Sequence, residues 1–127
     1  EDLKVAKTIL KLKRVYQEAG SDDGYRILVD RLWPRGLAKE KAGIDYWARE
    51  IAPSPELRKT FNHEAGRFED FKFAYTCELN TSELAKEFLD LIGEKLQNGN
   101  VTFLFAAKSE TINHAVILKD WIEKNLV

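Results

Sequence analysis

The sequence has very little cysteine and histidine: one cysteine, Cys77, and two histidines, His63 and His114, in 127 residues. A lone cysteine cannot form a disulfide within the chain, which predicts a reducing, cytoplasmic setting. The three residues also lack the spacing of a zinc site, so no metal is expected. Cys77 lies beside Glu78, whose charge disfavours a reactive thiolate. His63 follows a predicted helix, where we interpret it as a surface cap.

Long hydrophobic runs and an excess of one charge are also missing. No stretch approaches the roughly 20 apolar residues that cross a bilayer, so no membrane association is expected. The formal net charge is -1, and broad nucleic-acid binding, which needs a large basic surface, is not expected either. The first 60 residues nevertheless hold 13 Lys and Arg against 10 Asp and Glu. A local pocket for one small anion is compatible with this distribution.

Common catalytic and cofactor motifs are absent as well. The chain contains no G-x-G-x-x-G dinucleotide fingerprint and no P-loop. It also lacks the G-x-S-x-G nucleophile elbow, which carries the catalytic serine of α/β-hydrolases. The sequence therefore predicts no cofactor and names no reaction.

The most informative stretch that is present runs from Asp23 to Gly36 (DGYRILVDRLWPRG). Its apolar centre, Ile27-Leu28-Val29, predicts a strand that is buried on both faces. The strand stops at Asp30-Arg31, and a Trp, a Pro, an Arg and a Gly follow at once. Charged, rigid turns after strands are where α/β proteins place binding sites, so this stretch predicts the location of a site.

The pattern of strands and helices predicts one α/β domain over residues 1–127. Strands are expected near 8–15, 25–30 and 101–106, and the alternation of the first is typical of an edge strand. A long helical segment joins the two buried strands, as expected for parallel strands. The sequence therefore predicts a single domain with a small, mainly parallel sheet flanked by helices on both faces.

Hydroxyl and proline residues mark the expected helix starts. Ser54-Pro55 predicts an N-cap followed by proline at the first helical position. Residues 80–83 (NTSE) offer a capping box, and Ser109 or Thr111 is expected to cap the last helix. The segment 44–51 is ambiguous, because its apolar spacing suits a helix but a proline soon follows.

The carboxyl ends of the two buried strands are expected to meet at one edge of the sheet, beside the start of the last helix. Ligands of open α/β sheets bind in this crevice, and a helix N-terminus attracts anions. Asp30 and His114 are the candidates for a general acid or base. The residues expected to contact a ligand are Arg31, Trp33, Arg35, Lys108, Ser109 and Asn113.

Three interpretations of this cluster follow from the residues. The first is an enzyme acting on a small anionic substrate, such as a nucleotide or a phosphorylated metabolite, which Arg31 and Arg35 would clamp. The second is a non-enzymatic module that uses the arginines and Trp33 to bind an anion, a nucleic-acid end or a protein partner. In the third, the charged loop only holds the fold together, with Asp30 serving as a cap or in an ion pair with Arg31 or Arg26. The convergence of an acid, two arginines and a histidine slightly favours the enzyme.

The residues from Asp23 to Leu37 resemble the opening motif of the DUF488 family, in its short YeaO-like branch. The resemblance covers nearly the whole chain, since further matching segments lie at 39–42, 50–54, 56–59, 106–108 and 113–119. It implies a small bacterial or archaeal cytoplasmic α/β protein, and it adds Arg58 to the candidate ligand-binding residues by position alone. Relatives often carry a histidine where this chain has Ile112. The resemblance assigns no role to any residue.

Overall fold

A four-stranded sheet forms the centre of the protein in a computed structural model that describes residues 8–61 and 65–126. The strands are β1 (Leu10–Arg14), β2 (Tyr25–Leu28), β3 (Tyr46–Trp47) and β4 (Val101–Phe105). Their order in the sheet is β1-β4-β2-β3, and every neighbouring pair is parallel. The expected parallel sheet is therefore confirmed, with the two buried strands as neighbours and the first strand at an edge.

Five α-helices accompany this sheet in the described part of the chain. They are α1 (Lys39–Ala42), α2 (Pro55–Phe61), α3 (Phe68–Thr81), α4 (Glu83–Leu96) and α5 (His114–Asn125). Short 3-10 turns occur at Arg49–Ile51 and Ala65–Arg67. None of these helices has the length and apolar composition that crossing a bilayer requires.

The ambiguous segment 44–51 forms β3 and a 3-10 turn rather than a helix. Its backbone forms hydrogen bonds with β2 instead of the bonds between its own residues that a helix would need. The Asp45 N–H donates to the Arg26 carbonyl and the Ala48 N–H donates to the Leu28 carbonyl, each at 2.8 Å. Pairing with a neighbouring strand thus outweighs the helical spacing of the apolar residues.

The expected Ser54 cap is confirmed, whereas the capping box at 80–83 and the cap of the last helix differ from expectation. Ser82 alone caps α4, since Ala85 stands where a capping box needs Glu or Gln. The Ser54 hydroxyl accepts the Leu57 N–H before α2, and the Ser82 hydroxyl accepts the Ala85 N–H at the start of α4, both at 3.2 Å. The last helix, however, is capped by Asn113 and not by Ser109 or Thr111. The Ser109 hydroxyl accepts the N–H groups of Thr111 and Ile112 and so closes a turn before the helix starts. This turn delays the helix until His114.

The two faces of the sheet are covered by different structures. Alternate side chains of the strands, among them Ile27 and Phe103, pack with α3, α4 and α5 in the main core. On the opposite face, Leu28 and Leu104 pack under the loop that follows β2, including Trp33. The one-turn helix α1 also lies on this face, because its Ala42 carbonyl accepts a hydrogen bond from the Arg26 guanidinium. Helices therefore flank both faces, with the three longest on one of them.

A buried ion network fixes the start of β2. Asp23 is 1% exposed, and its carboxylate forms salt bridges with Lys11, Lys13 and Arg26. Burial acts to raise the pKa of this carboxyl, but hydrogen bonds from the Gly20 N–H, Lys13 and Arg26 outweigh it and hold the pKa well below its usual range. Lys11 and Lys13 belong to β1, so this network also ties the edge strand to the turn before β2.

Candidate functional site

A cavity of about 420 Å³ opens at the carboxyl ends of β2 and β4, beside the start of α5. Seven of the nine candidate residues line it: Asp30, Arg31, Trp33, Arg35, Arg58, Asn113 and His114. Lys108 and Ser109 do not line it, although they follow β4 directly. Lys108 is exposed, and Ser109 is used in the turn before α5.

Asp30 continues the pairing of β2 with β4 beyond the end of the strand. Its Oδ2 accepts the backbone N–H of Ala106 at 2.9 Å. Its backbone carbonyl accepts the indole N–H of Trp47 at 2.7 Å. The carboxylate thus holds the cavity floor together, and its side chain is 17% exposed.

His114 connects the first residue of α5 to the end of β2. Its Nε2 lies 2.9 Å from the Val29 carbonyl oxygen and 3.4 Å from Oδ1 of Asp30. Because both oxygens only accept hydrogen bonds, Nε2 carries a proton. The ring packs roughly perpendicular to that of Tyr75, with 6.2 Å between the ring centroids.

Tyr75 forms the buried support under this histidine. Its hydroxyl donates to the Ile51 carbonyl at 2.6 Å. Burial raises the pKa of the phenol, with the negative charge of Glu78 adding to the effect, so the hydroxyl stays protonated. Tyr75 therefore acts as a fixed donor between α3 and the turn after β3.

The Arg31 guanidinium is bound to the fold. Its Nη2 donates to the carbonyls of Ala52 and Pro53 at 3.2 and 3.3 Å, and its Nε donates to the Pro53 carbonyl at 3.4 Å. Nη1 lies 3.7 Å from a carboxylate oxygen of Glu50. Arg31 therefore anchors residues 50–53 against the strand end, and its donors are largely used.

Arg35 and Arg58 differ from Arg31 in this respect. Neither guanidinium has a hydrogen-bond or ion-pair partner among residues 8–61 and 65–126. Arg35 stands on a loop fixed by the Tyr16 hydroxyl, which donates to the Arg35 carbonyl at 2.9 Å. Arg58 lies on α2 and is half-buried. The cavity thus has two uncommitted cationic groups, one on the exposed loop after β2 and one on α2.

The remaining wall of the cavity is mostly apolar. Phe68 and Phe71 contribute from α3, while Leu32 and Ile112 are exposed at 64% and 41%. Trp33 donates its indole N–H to the Leu37 carbonyl at 2.7 Å and packs edge-on against Trp47. Such a lining suits a ligand with an apolar body.

Tyr16 also lines the cavity, although it is not among the residues expected from the sequence. It follows β1 after one intervening residue, and β1 pairs with β4. Its position after an expected strand was therefore a usable signal, because carboxyl ends of parallel strands share one edge. Leu32 and Ile112, by contrast, carried no chemical signal of their own.

The cavity lining lacks the alcohol, thiol and amine nucleophiles of covalent catalysis, and the described residues group no metal site. No Ser, Thr, Cys or Lys is found among the described residues that line the cavity. Cys77 is exposed on α3 and is not one of them. Across the described ranges, no three His, Cys, Asp or Glu side chains are grouped to hold a metal ion. His63 lies outside the described residues.

Fold and cavity together define an α/β domain with a parallel sheet and a cavity at the carboxyl ends of its strands. The family profile described as "Inactive DUF488-N3 subclade" matches residues 9–127, and the chain belongs to the DUF488 family. The resemblance found in the sequence is thereby confirmed.

The relatives are bacterial proteins of similar length. The chain is 45% identical to "Uncharacterized protein YeaO" of Escherichia coli (strain K12) over 113 residues, which cover 89% of this chain and 96% of YeaO. It is 36% identical to "Uncharacterized protein Mb3100c" of Mycobacterium bovis over 114 residues, covering 90% of this chain and 93% of that protein. No solved structure shows a significant match.

Proposed function

We propose that the protein is a non-catalytic binding protein for a small anionic ligand, held in the strand-end cavity by Arg35 and Arg58. The observation that carries this proposal is the division among the cavity's three arginines. Arg31 is engaged by backbone carbonyls, whereas Arg35 and Arg58 have no partner in the described chain. Unpaired guanidinium groups beside a cavity favour binding of a carboxylate or phosphate.

An enzyme at this site is less well supported than the sequence suggests. A general base must be able to reach a substrate proton, but Asp30 and His114 both bond to the backbone of neighbouring strand ends. The described lining also provides no Ser, Thr, Cys or Lys to serve as a nucleophile. The description of the matching family profile as inactive points in the same direction.

Removal of one positive charge at a time tests the proposal. The variants are Arg35→Gln, Arg58→Gln and, as a matched control, Lys108→Gln, whose side chain is exposed outside the cavity. The probes are phenylacetate, inorganic phosphate and adenosine monophosphate, measured by thermal shift and by titration calorimetry. A ligand that binds only the folded state raises the melting midpoint.

We expect at least one probe to stabilise the parent and Lys108→Gln equally. Each arginine variant is expected to weaken its binding about tenfold or more, because a charge-assisted hydrogen bond contributes roughly 1.5–3 kcal/mol. Chemical conversion of the bound probe would contradict the non-catalytic assignment. Binding that survives in both arginine variants, or no binding by any probe, would contradict the proposed site.

A further inference from the structure

The polar side chains of the cavity are almost all occupied by the fold. The Tyr16 hydroxyl donates to the Arg35 carbonyl, and the Trp33 indole donates to the Leu37 carbonyl. Asn113 uses Oδ1 for the Val116 N–H and Nδ2 for the Ser109 carbonyl, at 3.0 and 2.7 Å.

The same is true of the charged groups near the sheet. Asp30 accepts from Ala106, His114 bonds to Val29, and Arg31 bonds to Ala52 and Pro53. Of the eight polar side chains in the lining, only Arg35 and Arg58 have no partner among the described residues. The uncommitted hydrogen-bond donors of the cavity are therefore mainly these two cationic groups.

The shortage of unpartnered polar side chains limits which chemical groups a ligand can bury in the cavity. A nucleobase and a ribose carry several donors and acceptors, and each one placed against an apolar wall without a partner opposes binding. Phe68, Phe71 and Ile112 provide such a wall. A hydrocarbon body, in contrast, loses nothing on leaving water and gains from burial.

The charge of the ligand is limited by Asp30. Its carboxylate lines the same cavity as the two free arginines, and its repulsion of a ligand grows with the ligand's negative charge. A singly charged carboxylate can still accept two parallel hydrogen bonds from one guanidinium. The volume of about 420 Å³ lies near the lower end of small-molecule sites.

We infer that the ligand is a compact monocarboxylic acid with a hydrocarbon body, and not a nucleotide or a sugar phosphate. The inference rests on the proposed function, because it uses the same two arginines. It adds that the carboxylate meets Arg35 and Arg58 while the hydrocarbon part packs against the side chains of α3 and Ile112.

Four probes separate the contributions of the ligand's negative charge and of its hydrocarbon body to binding. Phenylacetate has both, phenylacetamide has the same body without the charge, acetate has the charge without the body, and adenosine monophosphate has charge with a polar body. Titration calorimetry on the intact chain measures Kd for each. Arg58→Gln tests the charge contact, Ile112→Asn tests the apolar contact at an exposed position, and Lys108→Gln is the control.

Phenylacetate is expected to bind the parent at least about tenfold more tightly than each of the other three probes. Both Arg58→Gln and Ile112→Asn should weaken phenylacetate, and Lys108→Gln should not. If adenosine monophosphate binds as tightly or more tightly in an arginine-dependent way, the ligand class is wrong while the proposed anion site stands. If no anionic probe binds in an arginine-dependent way, both proposals are overturned.

Discussion

The carboxylate of Asp30 accepts the backbone N–H of Ala106 at 2.9 Å, and this bond joins the ends of β2 and β4 at the floor of the cavity. Both residues lie just past the last paired residues of their strands, Leu28 and Leu104. A side chain here takes the place that a backbone carbonyl would hold in a longer strand. The chain can therefore diverge at the cavity without leaving this N–H unpaired.

Asp30→Ala is expected to destabilise the fold by about 1–3 kcal/mol, because the Ala106 N–H loses its acceptor in a part-buried position. Asp30→Asn keeps an acceptor oxygen and should recover most of this loss. Urea unfolding of the three proteins at neutral pH measures the difference. If both variants unfold at the parent's midpoint, Asp30 has no role in the fold and its carboxylate becomes a candidate for chemistry.

The location of this site was predictable from the sequence, but the state of its arginines was not. An apolar run that ends at Asp30-Arg31 predicts the end of a strand from the local sequence alone, without knowledge of the contacts made by the rest of the chain. Arg31 and Arg35 look equivalent in the sequence, since both follow the strand within a few residues. Only the three-dimensional structure brings the carbonyls of Ala52 and Pro53 to Arg31 and leaves Arg35 without such partners. Local patterns contain no information about contacts of this kind.

Asn113 caps α5 and also closes the loop before it, so its loss should be costly. Its Oδ1 accepts the Val116 N–H and its Nδ2 donates to the Ser109 carbonyl, while the residue is only 6% exposed. Asn113→Ala is expected to cost about 1–2 kcal/mol, the usual range for loss of an N-cap. Asn113→Asp should fall between the parent and the alanine variant, because it keeps the cap oxygen but not the amide donor.

Thermal and urea unfolding test the role of Asn113, and Ser82→Ala at the start of α4 serves as the reference for loss of an ordinary cap, about 1 kcal/mol. A smaller effect for Asn113→Ala than for Ser82→Ala would argue against the double role of the amide.

Two glycines with positive φ differ in the space around them, so alanine substitutions can separate the cost of the backbone conformation from the cost of steric overlap. Gly24 and Gly36 have φ of 69° and 77°. A Cβ at Gly24 would lie 2.0 Å from the Asn100 carbonyl oxygen, whereas a Cβ at Gly36 would meet nothing within 4 Å. Gly36→Ala should therefore cost about 1–2 kcal/mol from backbone conformation alone. Gly24→Ala should lower the free energy of unfolding by at least about 3 kcal/mol, because the backbone before β2 or at Asn100, the residue before β4, must move.

Denaturant unfolding of the two alanine variants, side by side, checks this difference. Equal losses of stability would mean that the turn before β2 adjusts freely around Asn100. In that case Gly24 would be needed only for its positive φ.

The general fold could be predicted because burial leaves strong patterns in the sequence, whereas pairing and capping choices do not. The apolar residues 27–29 and 103–107 form short runs at the ends of β2 and β4, which is typical of strands in a covered parallel sheet. Strand β3 has two residues, too few for any period to be detected. The start of α5 offered several polar residues able to cap it, and the choice fell on Asn113 because the Ser109 hydroxyl is used in the preceding turn.

The buried carboxylate of Asp23 should make the fold sensitive to acid. Its pKa is held below the unfolded value near 3.8 by the Gly20 N–H, Lys13 and Arg26, against the effect of burial. The ion network therefore stabilises the fold fully above about pH 4, and this contribution is lost as the pH falls toward the folded pKa. Asp23→Asn should cost about 3 kcal/mol at pH 7, since it leaves the buried Arg26 without its charge partner.

The free energy of unfolding, measured by urea titration between about pH 2 and pH 7, tests this expectation. The parent should lose stability steeply below about pH 4, and Asp23→Asn should lose less over the same range because its side chain does not titrate. Asp22→Asn is the matched control: this neighbouring carboxyl is 75% exposed, and its ion pair within the described residues is with Lys11. The hydrogen bond from Lys11 lowers its pKa as well, but solvent screens the pair, so a smaller change is expected. Parallel pH profiles for the parent and Asp23→Asn would show that other carboxylates control the acid sensitivity.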